Sequence, residues 1–423
     1  MTGDPNSNGL WAVSAAETFS APALTDDISV DLAIIGGGFT GTAAALAAAK
    51  AGARVCLLEA NRIGHGGSGR NVGLVNAGLW LPPDTITAQL GPETGERLST
   101  LLATAPDLVF DLIAEHAIAC EPVRSGTLHC AHAPSGLRDL QNRHAQLTAR
   151  GAPVSLLGDT ETASRTGTDA FGGALFDPRA GTIQPLAYNR GLARAAQTAG
   201  ALIHEATPVQ RIAPDGEGWT LSAPGWTIRA GAMIMATNAY HQPFRGAETP
   251  PHLLVHFFQA ATAPGLAEQV VPGGEGLWDT APVMTSLRTD AAGRVILGAM
   301  GALDHPGGGL HRGWAERKLA RLFPHLKGTP FQQVWFGRIA MTPAHLPEIQ
   351  RLGPNGLAVH GYSGRGIGPG TLFGTRLAEV SLGADPSRLP VAPIAPYRLK
   401  APGLRSTIFE TGATALHAVS ARF

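Results

Sequence analysis

Gly36-x-Gly38-x-x-Gly41 stands directly after the apolar run 30–35 and directly before an alanine-rich stretch, 42–51. Three glycines at this spacing suit one task. The first permits a tight turn out of a strand, the second lets backbone approach a pyrophosphate, and the third lets the next helix pack close to the sheet. The helix start then presents unpaired N–H groups and a positive dipole end to the phosphates, with Phe39 and Thr40 inside that turn. Glu59 ends the next apolar run, 53–59, and Ala60 follows it. An acid at this distance binds ribose hydroxyls and disfavours a 2′-phosphate. GxGxxG alone is a weak signal. Strand, loop, helix, strand and acid in register form a βαβ unit and outweigh an ordinary glycine-rich turn.

Two more glycine-rich loops bear on which dinucleotide binds. Gly64-His65-Gly66-Gly67-Ser68-Gly69-Arg70-Asn71-Val72-Gly73 follows the second strand, and Gly361-Tyr362-Ser363-Gly364-Arg365-Gly366-Ile367-Gly368 lies between a strand and a helix. The second loop aims another helix N-terminus at an anion. A reduced flavin carries negative charge at its pyrimidine end and gains from such a dipole; a nicotinamide has no such need. The pattern favours FAD over NAD.

The elements that position these loops follow from composition and periodicity. The chain has 423 residues, which suits two domains. Its 32 Lys+Arg balance 32 Asp+Glu, which argues against nucleic acid as partner. The 54 glycines exceed the roughly 7% of an average chain and cluster between strand and helix patterns, so they are not linker. Residues 85–150 repeat leucines at helical spacing, 186–199 and 371–382 read as helices, and 316–323 as a short helix. Residues 219–221 and 226–229 read as a hairpin, 232–236 as a separate buried strand, and 250–300 as β-rich. Residues 1–29 read as an irregular lead-in, Gly307-Gly308-Gly309 as a mobile loop, and the Pro-rich tail after 385 as a surface wrap. Three cysteines, no apolar span of about 20 residues and no visible leader suggest a cytoplasmic protein without an integral membrane segment. The 15 histidines show no metal-ligand spacing, so no metal site is expected.

On these stretches, together with Ala236-Thr237-Asn238-Ala239-Tyr240 and Trp335-Phe336-Gly337-Arg338-Ile339-Ala340-Met341-Thr342, the sequence resembles the FAD-dependent D-amino acid oxidase superfamily, which includes sarcosine and glycine oxidases. It looks most similar to the gamma-glutamylputrescine oxidase-like branch. The resemblance implies an α/β fold: a Rossmann-type FAD-binding domain interleaved with an α+β substrate domain of mixed β-sheet plus helices. The first would take 1–85, 150–240 and 331–390, the second 86–149 and 241–330, with 391–423 as tail. It implies oxidation of an amine or N-substituted amino acid, with hydride passing from the carbon next to nitrogen to the flavin and the imine then hydrolysing. Oxygen or another electron acceptor would reoxidise the cofactor. A 2-hydroxy acid oxidation, or a non-catalytic FAD-bound subunit, are the alternatives.

Carried over by position, the resemblance gives Gly36, Gly38 and Gly41 the pyrophosphate and Glu59 the ribose. Gly67, Ser68, Gly69, Arg70, Asn71 and Gly73 lie along the pyrophosphate and ribityl chain, and Val209 meets the adenine. Ala236 and Thr237 close over the cofactor; Gly364, Arg365, Gly366 and Ile367 approach the flavin pyrimidine; Gly337 and Arg338 lie beside the ring. Two departures stand out. Residues 337–342 contain no cysteine to attach flavin, so FAD is expected to be non-covalent. Ile296 stands where sarcosine oxidases carry an oxygen-activating lysine, which leaves a dehydrogenase open. For the substrate, Arg288 suits a bidentate carboxylate clamp and His256 an amine contact; a surface arginine and a packed histidine are the plain readings. Tyr362, Trp335 and Trp80 suit the pocket wall, and plain packing suits them equally.

Overall fold

The computed structural model describes residues 7–305 and 307–420. Parts of the expected lead-in and tail, residues 1–6 and 421–423, lie outside them.

Long runs of apolar residues make strands that are covered on both faces. β1 (Ile28–Ile35) is such a strand, buried continuously over its last four residues. It pairs in parallel with β2 (Val55–Leu58) on one side and β11 (Trp226–Met235) on the other. β8 (Leu202–His204) continues beyond β2, and β18 (Gly356–His360) beyond β11, both in parallel. β17 (Glu348–Gly353) closes one edge antiparallel to β18. β9 (Arg211–Asp215) and β10 (Gly218–Ala223) extend antiparallel from β11. The chain thus fills one side of β1 first and then the other. The order reverses between β1 and β11, and ligands of such sheets bind beyond the strand ends at that point.

β11 corrects the expectation of a hairpin arm plus a separate strand. It is one strand of 10 residues that alternates in burial at its start, against β10, and is buried throughout at its end, between β1 and β18. The change of environment along one strand is what made it read as two.

α2 (Phe39–Lys50), α8 (Pro185–Thr198) and α10 (Ile367–Ser381) share a core with one face of this sheet. α2 is buried on nearly every side, which small alanines allow. A Cβ on Gly374 would lie 2.2 Å from Thr40 O, so glycine lets α10 approach α2 at backbone distance. The expected leucine periodicity forms α3 (Pro83–Leu90), α4 (Pro92–Ala103) and α5 (Ala105–Glu115), of which α4 and α5 bury Leu98, Leu102, Val109 and Ile113 in the same core.

The second sheet is mixed. Its order is β16 (Gln333–Met341), β12 (Leu253–Ala261), β15 (Val295–Met300), β14 (Thr285–Thr289), β13 (Gly276–Asp279), β4 (Thr127–Cys130), β6 (Ala174–Asp177) and β5 (Ser155–Leu157). Only β13 and β4 pair in parallel among these strands. β4 lies within the span expected to be helical, followed by α6 (Pro134–Ala149) and α7 (Asp159–Thr166). A two-residue pair, β3 (Leu74–Val75) with β7 (Gly181–Thr182), stands apart, and α1 (Leu10–Ser14) opens the described chain. The fold is α/β with a mixed second sheet, as expected. Within the spans 150–240 and 331–390, β5, β6 and β16 pair in the second sheet.

Two helices differ from the sequence reading. α9 (Gly308–Leu322) begins at Gly308, so Gly308 and Gly309 form a first helical turn and not a loop. α11 (Pro402–Val419) is an 18-residue helix in place of a surface-wrapping tail. Pro402 opens it, a position where the missing N–H costs nothing.

Candidate active site

The fingerprint is tightly determined. Gly36 has φ 107°, open to glycine, and a Cβ there would lie 2.9 Å from Ala236 O on the neighbouring strand. A Cβ on Gly41 would lie 1.9 Å from Gly36 O. One on Gly38 would lie 2.9 Å from Ser68 Oγ. Ser68 Oγ accepts from Phe39 N at 2.9 Å and so caps the start of α2 from another loop. The Glu59 carboxylate accepts from Gly37 N at 2.7 Å and Asn61 N at 2.8 Å. Burial raises its pKa, against the pull of those two N–H groups.

The loop 64–73 is tied from behind. Trp11 Nε1 donates to Asn71 O at 2.8 Å and Trp335 Nε1 to Arg70 O at 2.9 Å, with the two indoles edge to face. Asn8 Nδ2 donates to Gly64 O and Gly69 O. Arg70, 1% exposed, donates from Nε to His65 O and from Nη1 to Phe336 O. Arg70 thus clamps the loop to β16 and does not reach outward. His65 faces the opening. Burial, then the Arg70 and Arg338 charges, push its pKa down, so it is neutral near pH 7.

The third loop leaves β18 through residues 361–366. Asn238 and Ser363 both have left-handed backbone, φ 42° and 50°. Asn238 Oδ1 accepts from Gly361 N at 3.0 Å, which joins the ends of β11 and β18. The Tyr362 hydroxyl lies 2.8 Å from Thr40 Oγ1 and links this turn to α2. Burial raises the phenol pKa, which keeps the hydroxyl protonated near pH 7 in its contact with Thr40. Arg365 donates to Ala77 O and lies over the Trp278 ring. Burial brings its pKa down to about 9, which still leaves it charged at neutral pH.

All three loops open on one cavity of about 640 Å³. Of the expected residues, Gly36, Gly38, Phe39, Thr40, Glu59, Ala60, Gly67, Ser68, Asn71, Val209, Ala236, Thr237, Arg338, Tyr362, Gly364, Arg365, Gly366 and Ile367 line it. Gly41, Gly69, Arg70, Gly73 and Gly337 stand behind it. A Cβ would lie 2.1 Å from Gly64 O at Gly69, 2.1 Å from Ile183 O at Gly73 and 2.6 Å from the Phe257 ring at Gly337. These glycines serve packing behind the wall. Arg338 spreads its guanidinium over the Tyr240 ring at 4.6 Å, and its backbone N donates to Tyr240 Oη.

Two expected substrate contacts are elsewhere. Arg288 is fully buried and donates to Thr289 O and Ile183 O, so it cannot clamp a carboxylate in the cavity. His256 alternates with Val255 and Phe257 along β12; those two line the cavity, while His256 Nδ1 sits 3.8 Å from Glu410 of α11. Strand alternation sends it to the other face. Trp335 is likewise packed behind the wall, while Trp80 lines it.

The sequence reading missed the far wall: Phe257, Met284, Met300 and, from α11, Ile408, Phe409 and Leu416. Its signal lay on the polar side of that helix, where Ser406, Glu410 and His417 recur at spacings of four and seven. Glu410 Oε1 accepts from Ala302 N at 2.9 Å and faces His305 Nε2 at 2.9 Å and His311 Nε2 at 3.2 Å. His305, His311 and Glu410 lie close enough to suggest a metal, a grouping that no sequence spacing announced. His305 Nδ1, however, accepts from Gly307 N, so its proton sits on Nε2 toward the carboxylate. The cluster is hydrogen-bonded in this form and docks the helix. Among the described residues, no helix is long and apolar enough to cross a membrane.

A family model described as DAO, FAD dependent oxidoreductase, matches residues 31–380. A probable oxidoreductase OrdL of Rhizobium meliloti is 30% identical over 367 residues, 86% of this chain and 85% of that protein. Gamma-glutamylputrescine oxidoreductase of Escherichia coli is 28% identical over 394 residues, 89% of each. The solved structure of glycine oxidase from Geobacillus kaustophilus has the same fold, with TM-score 0.68 at 23% identity over 84% of this chain and 95% of that one.

Proposed function

Since the chain belongs to the DAO family of FAD-dependent oxidoreductases, we propose that it oxidises the C–N bond of an amine or an N-substituted amino acid. One observation carries the reading. The starts of α2 and α10 and the loop 66–68 open on the same cavity, and that cavity runs on to an apolar wall, Phe257 and Met300, of the second sheet. The first part suits a long dinucleotide and the second a small organic substrate.

The glycine cradle fits FAD. Ser68 Oγ leaves no room for a side chain at Gly38, and a Cβ on Gly366 would meet nothing within 4 Å, so bare backbone at Gly366 leaves open space for a ligand. Gly36, Gly38 and the α2 start would hold the pyrophosphate, with Glu59 at the ribose and Val209 at the adenine. Ser68 and Asn71 would lie along the ribityl chain, Ala236 and Thr237 would close over it, and residues 364–367 would face the pyrimidine. Bound there, FAD supplies the hydride acceptor. The substrate carbon gives up hydride, two electrons with one proton, as the nitrogen lone pair forms C=N; water then adds, giving a carbonyl compound and an amine. The α10 dipole and the Arg338 charge favour negative charge at that end of the cavity. Phe257 and Met300 keep water from the reacting carbon. The three cysteines are buried away from the cavity, which supports non-covalent binding.

Electron transfer to an acceptor other than oxygen is a second reading. Ile296, in the position of the oxygen-activating lysine, is buried with Trp11 and Trp335. Anaerobic reduction by candidate substrates, followed by admission of air, tests both. Bleaching of the flavin by amines or N-alkyl amino acids is expected. Bleaching by hydroxy acids alone would overturn the proposal, and rapid reoxidation in air would overturn the second reading.

A further inference from the structure

We infer that α11 forms a substrate subsite which accepts an uncharged, apolar arm, making the preferred substrate an amine or amino acid with an aliphatic or aromatic substituent and no second ammonium group. The inference rests on the C–N oxidation reading and specifies its substrate.

A helix at a protein surface normally buries its apolar side. α11 does the reverse. It docks through polar groups: Ser406 Oγ accepts from Leu254 N at 3.1 Å, Glu410 takes Ala302 N and faces two histidines, and His417 Nδ1 meets His311 Nδ1 at 2.7 Å. Its large apolar side chains stay out of the core, with Ile408 63%, Leu416 42% and Phe409 39% exposed. These three line the cavity that the glycine loops open on. Met300 lies two residues before Ala302, whose N–H Glu410 holds, so α11 and the end of β15 meet at the same rim. An apolar surface of this kind is stabilised when a ligand covers it.

Charge points the same way. Among the described residues lining the cavity, Glu59 is the one carboxylate. It sits at the end of β2, held by Gly37 and Asn61, away from α11. Arg338, the cavity cation on β16, pairs in register with His256, which faces Glu410 of α11. A second ammonium on that arm would therefore lose its water and meet a cation, and Glu410, the acid of α11, is already engaged by Ala302 N, His305, His311 and His256 on the docking side of the helix. A methylene would lose only water.

The test compares straight-chain N-alkylglycines from methyl to pentyl with N-(ω-aminoalkyl)glycines of matched length. It uses the FAD-loaded enzyme, with FAD content and thermal midpoint as folding controls. kcat/KM should rise about fourfold per methylene that reaches α11, and the aminoalkyl compounds should fall well below their alkyl matches. Ile408→Ser with Leu416→Ser should flatten the slope; if that pair impairs folding, Ile408→Ala and Leu416→Ala are read singly. A flat slope in the wild type, a slope unchanged in the variants, or preference for the aminoalkyl series would overturn the inference. Binding of non-oxidisable alkyl carboxylates, measured by calorimetry, separates the two claims. If no amine reduces the flavin, the oxidation reading fails. Carboxylate affinity that rises with chain length and falls in the variants would still uphold the apolar subsite, and a flat series would sink it.

Discussion

Replacing Gly41 by alanine should break FAD binding without placing any atom in the cavity. The added Cβ would lie 1.9 Å from Gly36 O. Ordinary carbon contacts begin near 3.5 Å, so the backbone must part by about 1.5 Å. α2 has nowhere to retreat, because Gly374 of α10 already brings its own backbone against Thr40 O. Overpacking of this kind costs about 1–3 kcal/mol. The shift would also stretch the Phe39 N to Ser68 Oγ bond at 2.9 Å and the Gly37 N to Glu59 bond at 2.7 Å, each worth roughly 0.5–1.5 kcal/mol or more because Glu59 is charged. Since the loop is shaped to its ligand, a loss of about 2–3 kcal/mol should appear as FAD binding weakened roughly 30- to 150-fold. Titration of apoprotein with FAD, read by quenching of flavin fluorescence, measures it. Gly309→Ala is the matched control: it is helical with open space at the Cβ, and should stabilise by about 0.5–1 kcal/mol with FAD affinity unchanged. FAD affinity within threefold of wild type in Gly41→Ala, with an unaltered melting temperature, would refute the reasoning.

Arg288→Met should destabilise the fold by about 3 kcal/mol, since Ile183 O and Thr289 O lose a buried donor, and leave KM unchanged once the protein is folded; a raised KM at full stability would restore the clamp reading. Trp335→Phe removes the indole that holds Arg70 O and should cost about 1–2 kcal/mol and loosen FAD, checked by denaturant unfolding and FAD titration. α11 should undock in acid. Burial, then the charge on His311, brings His417 from its ordinary 6.5 to about 3, and burial also lowers His256. Because these folded values lie below the unfolded ones, their contribution is complete above about pH 6.5 and falls as pH drops toward 3. Glu410 is raised by burial but carried down to about 2 by hydrogen bonds from His311, Ala302 N and His305, so its contribution is full above 4.5 and falls as pH drops toward 2. Amide exchange over 402–419, corrected for intrinsic rate and compared with β1, should quicken from pH 7 to pH 5; unchanged protection would contradict this.

Local signals carried the first half of the site. Gly36, Gly38, Gly41 and Glu59 are constrained within one βαβ unit, so their spacing alone determines where they lie relative to one another. The far wall has no such local determinant. Arg288 and His256 were plausible by type, yet what they do depends on which way a strand residue points and what packs on it. Arg70 fits a phosphate contact by chemistry, but it donates to the carbonyls of His65, five residues away, and Phe336, 266 away. α11 escaped notice because Pro386, Pro390, Pro393, Pro396 and Pro402 made the whole tail read as an irregular wrap, although Ile408, Phe409 and Leu416 recur at helical spacing.

The central claim is that this chain holds FAD in the glycine cradle and uses it to oxidise a C–N bond. Anaerobic spectroscopy of the purified, FAD-loaded protein tests it most directly. The account predicts a yellow protein that releases its flavin on denaturation and is bleached by amines or N-alkyl amino acids. A protein that takes up no FAD, or a flavin that no amine or amino acid reduces, would contradict it.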